Sequence, residues 1–242
     1  MWRDIRSARH LLRATVDLLA LEMRMLTGNR LFVLVALELL WVTAFAILQR
    51  TRDDAWDGLS FYNRTILVPA LLPALALGMS SILGERDIRH LEMSFASPAG
   101  RYQAWGFRLA ALGLACAVTV AALTTLTWVG IGQPIPPLRA ALHAVVPILF
   151  VAAGTTCLSL IFNGAATGTF VMGAFLLASA VLLHGPRVGR FDLFINPFDP
   201  PQGMDPVAWF RVLVFNRTLL LACTGLSVVA TLALLRRRER LL

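Results

Sequence analysis

Apolar residues gather in long blocks separated by short polar segments. The blocks fall at 31–48, 65–83, 107–130, 141–162, 165–183 and 212–235. A helix rises about 1.5 Å per residue and the hydrocarbon layer is about 30 Å thick, so about 20 apolar residues cross it. The pattern predicts six transmembrane helices and an all-α integral membrane fold. Ahead of the first block the period changes. Ile5, Ala8, Leu12, Val16, Leu19, Met23 and Leu26 recur at helical spacing, while Arg3, Arg6, His10, Arg13, Asp17 and Arg24 take the other face. Residues 1–30 therefore read as an amphipathic helix lying along the membrane surface, and 31–242 as the six-span domain. The first apolar block starts near Leu31 and no small-residue cleavage pattern follows it, which predicts a retained span rather than a signal peptide.

The polar segments carry the orientation. With the N-terminus inside, the inner segments 1–30, 84–106 (with Arg108 at its edge) and 236–242 hold fourteen arginines, and the outer loops 49–64, 131–140 and 184–211 hold seven. Positive charge favours the cytoplasmic side, so both termini are expected in the cytoplasm of a bacterial inner membrane. A tight inner turn is expected at Asn163-Gly164. The outer segment 184–211 has five prolines and reads as an ordered cap or a re-entrant pair of short helices. The triplet Asn-Arg-Thr occurs at Asn63 and again at Asn216, each time at the outer start of a span, where both read as interfacial anchors.

Composition agrees with the blocks: 57% of the 242 residues are apolar and 15% charged, against about 45–50% and 25% in soluble domains. The net charge of +8 is spread over loops beside the spans, which argues for membrane lipid and against nucleic acid as its partner. All 22 basic residues are arginine. A phosphate-binding P-loop requires lysine, so any ATP, with its Mg²⁺, has to be bound by another subunit. Cys116, Cys157 and Cys223 sit in apolar blocks without paired spacing and predict small hydrophobes, with no disulfide or metal site.

No zinc-binding HExxH and no nucleophile with a matched base is present, so no catalytic residue is assigned. Ser80, Ser81, Ser159, Ser179 and Ser227 are expected to bond backbone carbonyls. Glu38 is the acid within the spans, two turns into the first and hence in its inner half. A carboxylate there must face protein or water, and it is a candidate either for the translocation path or for an interhelical bond. No second buried charge is expected beside it, which counts against a proton relay. Pro69 and Pro73 in the second block and Pro147 in the fourth predict bends, and the first two are candidates for lining a path. Small residues from Gly154 to Gly173 predict close helix packing, within the chain or across a dimer.

The remaining island, "ERDIRHLEMSFASPAGR" at 85–101, separates the second and third blocks. Ser97-Pro98 reads as a helix start, and Ile88, Leu91 and Phe95 share one face of a short helix, an apolar ridge with a charged rim suited to docking a soluble partner. The order Glu85-Arg86, Leu91-Glu92, Ser97-Pro98 and Arg101 resembles the loop between the second and third spans of type-two ABC exporter permeases. The six spans, the N-terminal interfacial helix and the stretch Asn196-Pro197-Phe198-Asp199 extend that resemblance over most of the chain. Where the family pattern has Gly-Thr, this chain has Arg89-His90.

The resemblance implies a cytoplasmic coupling helix in which Glu85, Arg86, Ile88, Leu91, Glu92, Phe95, Pro98 and Arg101 meet a separate ABC ATPase subunit holding ATP and Mg²⁺. It also implies a second permease copy and export, and the scarcity of charge in the spans favours a lipophilic, amphipathic or peptide-like cargo. Two other classes stay open. One is a non-transporting assembly or signalling subunit acting on an outer-face accessory protein; the other is an ATP-independent secondary carrier.

Overall fold

The computed structural model describes residues 62–83, 101–131, 136–182, 189–201 and 203–239, with helical residues 16–17, 19–20, 24, 36–38, 40–44 and 47–48. Side chains are described for all of these except 80–83, 101–105, 130–131, 189 and 236–239. Five helices dominate. They are α1 (Val68–Leu83), α2 (Arg101–Ile131), α3 (Pro137–Ile161), α4 (Ala165–Leu182) and α5 (Pro206–Glu239), with no strand among the described residues.

Four helical stretches are long and apolar enough to cross a membrane: Gly106–Val129, Pro137–Ile161, Ala165–Leu182 and Pro206–Leu235. A shorter apolar stretch, Asn63–Met79, runs into α1. This is the architecture of a membrane-embedded protein, because backbone groups in lipid must be satisfied internally and a helix does so within one segment.

The bundle is organised around α3, which touches each of the other four helices. Within its apolar stretch 67% is buried, against 11% for that of α5. Small side chains permit this: Ala140, Ala144, Ala152, Ala153 and Gly154 lie on buried positions of α3 and let neighbours approach. Gly78 of α1 is one such approach. A Cβ there would stand 2.7 Å from both the Ala152 carbonyl oxygen and Thr155 Cβ, and the Thr156 hydroxyl donates across the same seam to the Gly78 carbonyl at 3.3 Å.

The close packing expected of the Gly154–Gly173 cluster is formed within the chain. A Cβ on Gly168 of α4 would strike the backbone of Ser159 on α3. The two helices are joined by the expected turn, in which Asn163 adopts φ +53° and the Gly164 N–H donates to the Ser159 carbonyl at 3.0 Å. Asparagine tolerates this left-handed conformation, and the bond satisfies a carbonyl left open by the helix end.

Prolines mark the start of α1. A π-helical turn, Asn63–Leu67, leads in, with the Val68 N–H bonded back to the Asn63 carbonyl; Pro69, which has no N–H to give, follows directly. Pro69, Pro73 and Pro147 are all buried, and α1 and α3 run on through Pro73 and Pro147 as continuous helices. Polar side chains inside the helices turn back on their own backbone. Thr124, Thr155, Thr224 and Thr231 each donate to the carbonyl four residues earlier, at 2.6–2.8 Å. Ser159 instead donates across the turn to the Ala165 carbonyl at 3.3 Å. Cys116 and Cys157 are buried, Cys223 is half-buried, and none forms a disulfide.

Two expectations change. The last helix begins at Pro206, six residues before the apolar block at 212, because Asp205 caps it: its carboxylate accepts from the N–H groups of Val207 and Ala208, both at 3.1 Å. Among its described residues the segment before it holds one 3₁₀ turn, Gly189–Phe191, and a chain of tight turns, the ordered cap of the two forms expected there. Near the N-terminus, Leu19 packs against the main core and Asp17 and Arg24 are exposed, as their predicted faces require, whereas Val16, predicted on the apolar face, is exposed.

Candidate functional site

Glu85, Arg86, Ile88, Leu91, Glu92, Phe95 and Pro98 lie outside the described residues, and so does the side chain of Arg101, the first residue of α2. Glu38 is described and is 5% exposed. The indole N–H of Trp41, one turn later, donates to the Arg64 carbonyl at 3.0 Å.

The densest polar constellation lies where α1 and α3 begin and α5 has completed its first turns. Residues 189–199 fold over this end as a cap. Asx turns shape it: the Phe194 N–H donates to Asp192 Oδ1 at 2.8 Å and the Phe198 N–H to Asn196 Oδ1 at 3.1 Å. These turns point Leu193 and Ile195 inward, at 2% and 5% exposure.

Asn216, Arg217 and Asn63 then hold the cap's backbone. Asn216 Nδ2 donates to the carbonyls of Arg190 and Asp192, both at 3.0 Å. Arg217 donates from Nη1 to Asn216 Oδ1 at 3.0 Å and from Nη2 to the Ile195 carbonyl at 3.3 Å. Asn63 Nδ2 donates to the Phe194 carbonyl at 2.5 Å. Both Asn-Arg-Thr triplets thus grip one segment, which refines their reading as interfacial anchors.

The last apolar block carries a buried cation that the expectation of no second buried charge left out. Arg217 is buried at 8% exposure, with Asp192, itself 4% exposed, as the acid whose charge acts on it. Its Nη2 is engaged by the Ile195 carbonyl of the cap and its Nη1 by Asn216 of its own helix, so its role here is to position backbone. Replacing hydration with two hydrogen bonds and a nearby carboxylate makes such burial tolerable.

Aromatic rings fill the space between cap and bundle. Phe198 lies edge-on to Tyr62 at 5.3 Å and to His143 of α3 at 6.1 Å between ring centroids. Burial pushes the Tyr62 phenol above its ordinary value, with the Arg217 charge pulling the other way. Its hydroxyl, Asn63 Oδ1 and Arg217 Nε are buried and make no hydrogen bond among the described residues.

Sequence reasoning singled out neither Tyr62, Asp192 nor Arg217. The signal was present: Asn216-Arg217 is the polar pair inside the last apolar block, and it repeats the triplet that opens the turn leading into α1. Comparison with protein-family models, curated proteins and solved structures finds no match for this chain.

Proposed function

We propose that this chain is the membrane-embedded permease subunit of an ATP-driven exporter, working as a pair of copies with a separate ABC ATPase subunit that binds ATP and Mg²⁺. The observation that carries the reading is the charged motif Glu85-Arg86, Leu91-Glu92, Ser97-Pro98 and Arg101, placed between two helices of a membrane protein. Its last residue, Arg101, opens α2, and its first follows the end of α1 at Leu83. A short charged link directly joined to two membrane helices can pass a rigid-body push from a soluble motor into the bundle.

In this reading Glu85, Arg86, Ile88, Leu91, Glu92, Phe95, Pro98 and Arg101 dock the ATPase on the cytoplasmic side. Both termini share that side, and Pro69 and Pro73 of α1, with Glu38, border the path. The low charge of the helices favours a lipophilic, amphipathic or peptide-like cargo. The test is purification of the affinity-tagged chain from its native membrane in mild detergent, followed by photolabelling with azido-ATP. A labelled ATPase is expected with the wild-type chain, and its recovery or its stimulated turnover is expected to fall in Glu92→Ala. Absence of any labelled partner from the wild-type preparation would overturn the proposal.

A second reading draws on the folded cap. The same motor would act mechanically on an accessory protein at the outer face, met by exposed residues such as Asp199, Pro200 and Met204. Shortening 199–204 would then abolish partner capture and leave ATP turnover intact; unchanged capture would exclude it.

A further inference from the structure

Arg190 and Arg211 border one exposed pair of rings. The Arg190 carbonyl is held to α5 by Asn216 at 3.0 Å, and its guanidinium carbon stands 5.5 Å from the centre of the Phe191 ring. Phe191 in turn lies edge-on to Phe215 of α5, with 5.9 Å between ring centroids. Arg211 comes one helical turn before Phe215, on the same face and about 6 Å nearer the start of α5. All four side chains are exposed, the two rings at 45% and 46%. Below Phe215 that face continues with Ala222, Leu226 and Val229, also exposed. The acids beside the patch in the chain are turned elsewhere: Asp192 accepts from the Phe194 N–H, and Asp205 caps α5.

The length of α5 sets the depth of this patch. Its apolar stretch, Pro206–Leu235, has 30 residues and is followed at once by Arg236, Arg237 and Arg238. Three successive arginines fix one edge of the hydrocarbon near Leu235, and about 20 residues cross it, which puts the other edge near Asn216. Phe191 and Phe215 therefore sit at the boundary between acyl chains and headgroups. Arg211 lies a turn above it, and the long Arg190 side chain reaches the same layer from its fixed backbone. We propose that Arg190, Arg211, Phe191 and Phe215 form a seat for one anionic phospholipid, with its phosphate on the two guanidiniums and its acyl chains against the rings and the apolar face below. Guanidinium forks match phosphate oxygens, and two cations without a facing acid select a net negative headgroup over a zwitterionic one. A soluble anion would gain the charge pairing and leave the rings uncovered. The seat needs only the membrane embedding of α5, whatever drives the protein.

The test is native mass spectrometry of the full chain in mild detergent, titrated with phosphatidylglycerol or with phosphatidylcholine of the same acyl chains. The first phosphatidylglycerol is expected to bind about tenfold more tightly than the first phosphatidylcholine. Arg190→Gln and Arg211→Gln are each expected to weaken it about fivefold, the effect of one interfacial arginine on an anionic lipid. Both variants change exposed side chains and leave the Asn216 bond to the Arg190 carbonyl in place. Arg139→Gln, at an exposed arginine near the start of α3, is expected to stay within about twofold. Equal affinity of the wild-type chain for the two lipids would overturn the seat, as would unchanged phosphatidylglycerol binding in Arg190→Gln or Arg211→Gln. An equal loss in Arg139→Gln would show diffuse rim charge, and displacement of the lipid by inorganic phosphate would show a plain anion site. Loss of a paired species in Arg211→Gln with unchanged lipid counts would assign the patch to a second copy. Each of these three results also overturns the seat.

Discussion

Asn63 and Asn216, the leading residues of the two Asn-Arg-Thr triplets, hold the same short segment from different helices. One donates to the Phe194 carbonyl at 2.5 Å and the other to the Asp192 carbonyl at 3.0 Å. Residues 153 positions apart thereby meet within three residues of chain, and the end of the bundle is tied across. The arginines that follow diverge: Arg217 is buried under the cap, while Arg64 is exposed and offers its carbonyl to Trp41.

The bonds of Asn216 predict its cost. Asn216→Ala removes two donors from the cap and the acceptor of Arg217 Nη1, leaving part of a buried cation unpaired. Loss of about 1–3 kcal/mol is expected in chemical denaturation of the detergent-solubilised chain, and the Trp209 fluorescence change should follow the same transition. A change below about 0.5 kcal/mol would mean that water replaces the side chain without loss.

Tyr62 predicts the opposite sign for its hydroxyl. The ring is fully buried against Phe198 and the hydroxyl has no partner among the described residues. Tyr62→Phe keeps the packing and removes an unsatisfied group, so stability should hold or rise by up to about 1 kcal/mol, whereas Tyr62→Ala should cost about 3 kcal/mol or more. A loss above about 1 kcal/mol in Tyr62→Phe would reveal a bond to the hydroxyl.

Two glycines of α4 separate packing from propensity. A Cβ at Gly168 meets the Ser159 backbone, which cannot step aside as a flexible side chain can, while one at Gly173 meets nothing within 4 Å. Gly168→Ala should destabilise by about 1–3 kcal/mol by forcing α3 and α4 apart, and Gly173→Ala should stay within about 0.5 kcal/mol. Equal losses in thermal unfolding would contradict the seam.

The turn and the cap of α5 give backbone predictions. Asn163 stands at φ +53°, so Asn163→Gly should be nearly neutral and Asn163→Val should cost about 1–2 kcal/mol. Asp205→Ala loses acceptors for two N–H groups and should cost about 1 kcal/mol, read as faster hydrogen exchange at Val207 and Ala208.

Much of this architecture was legible in residue order. Apolar blocks of membrane-crossing length require helices, since nothing else satisfies the backbone in lipid. Four of the six blocks lie in helices long and apolar enough to cross. The turn at Asn163-Gly164 followed from residue types that accept a left-handed conformation, and the close approach of α3 and α4 from glycines at helical spacing. The start of α5 was missed by six residues because Trp209 and Arg211 fall outside the apolar block, although Asp205-Pro206 is a helix-start signal.

The capped end could not be read in this way. Nothing local in "NRT" says whether its asparagine meets water, lipid headgroup or a carbonyl, and Arg217 at the edge of an apolar block could equally extend to the interface. Burial of Arg217 depends on the Ile195 carbonyl and the Asp192 carboxylate, 22 and 25 positions earlier, which only the folded-back cap delivers. Periodicity and length thus determined that the chain is helical and made for a membrane, because those properties are local. Tertiary structure alone decided that α3 is the hub and that two distant triplets hold one cap, because both depend on which surfaces meet.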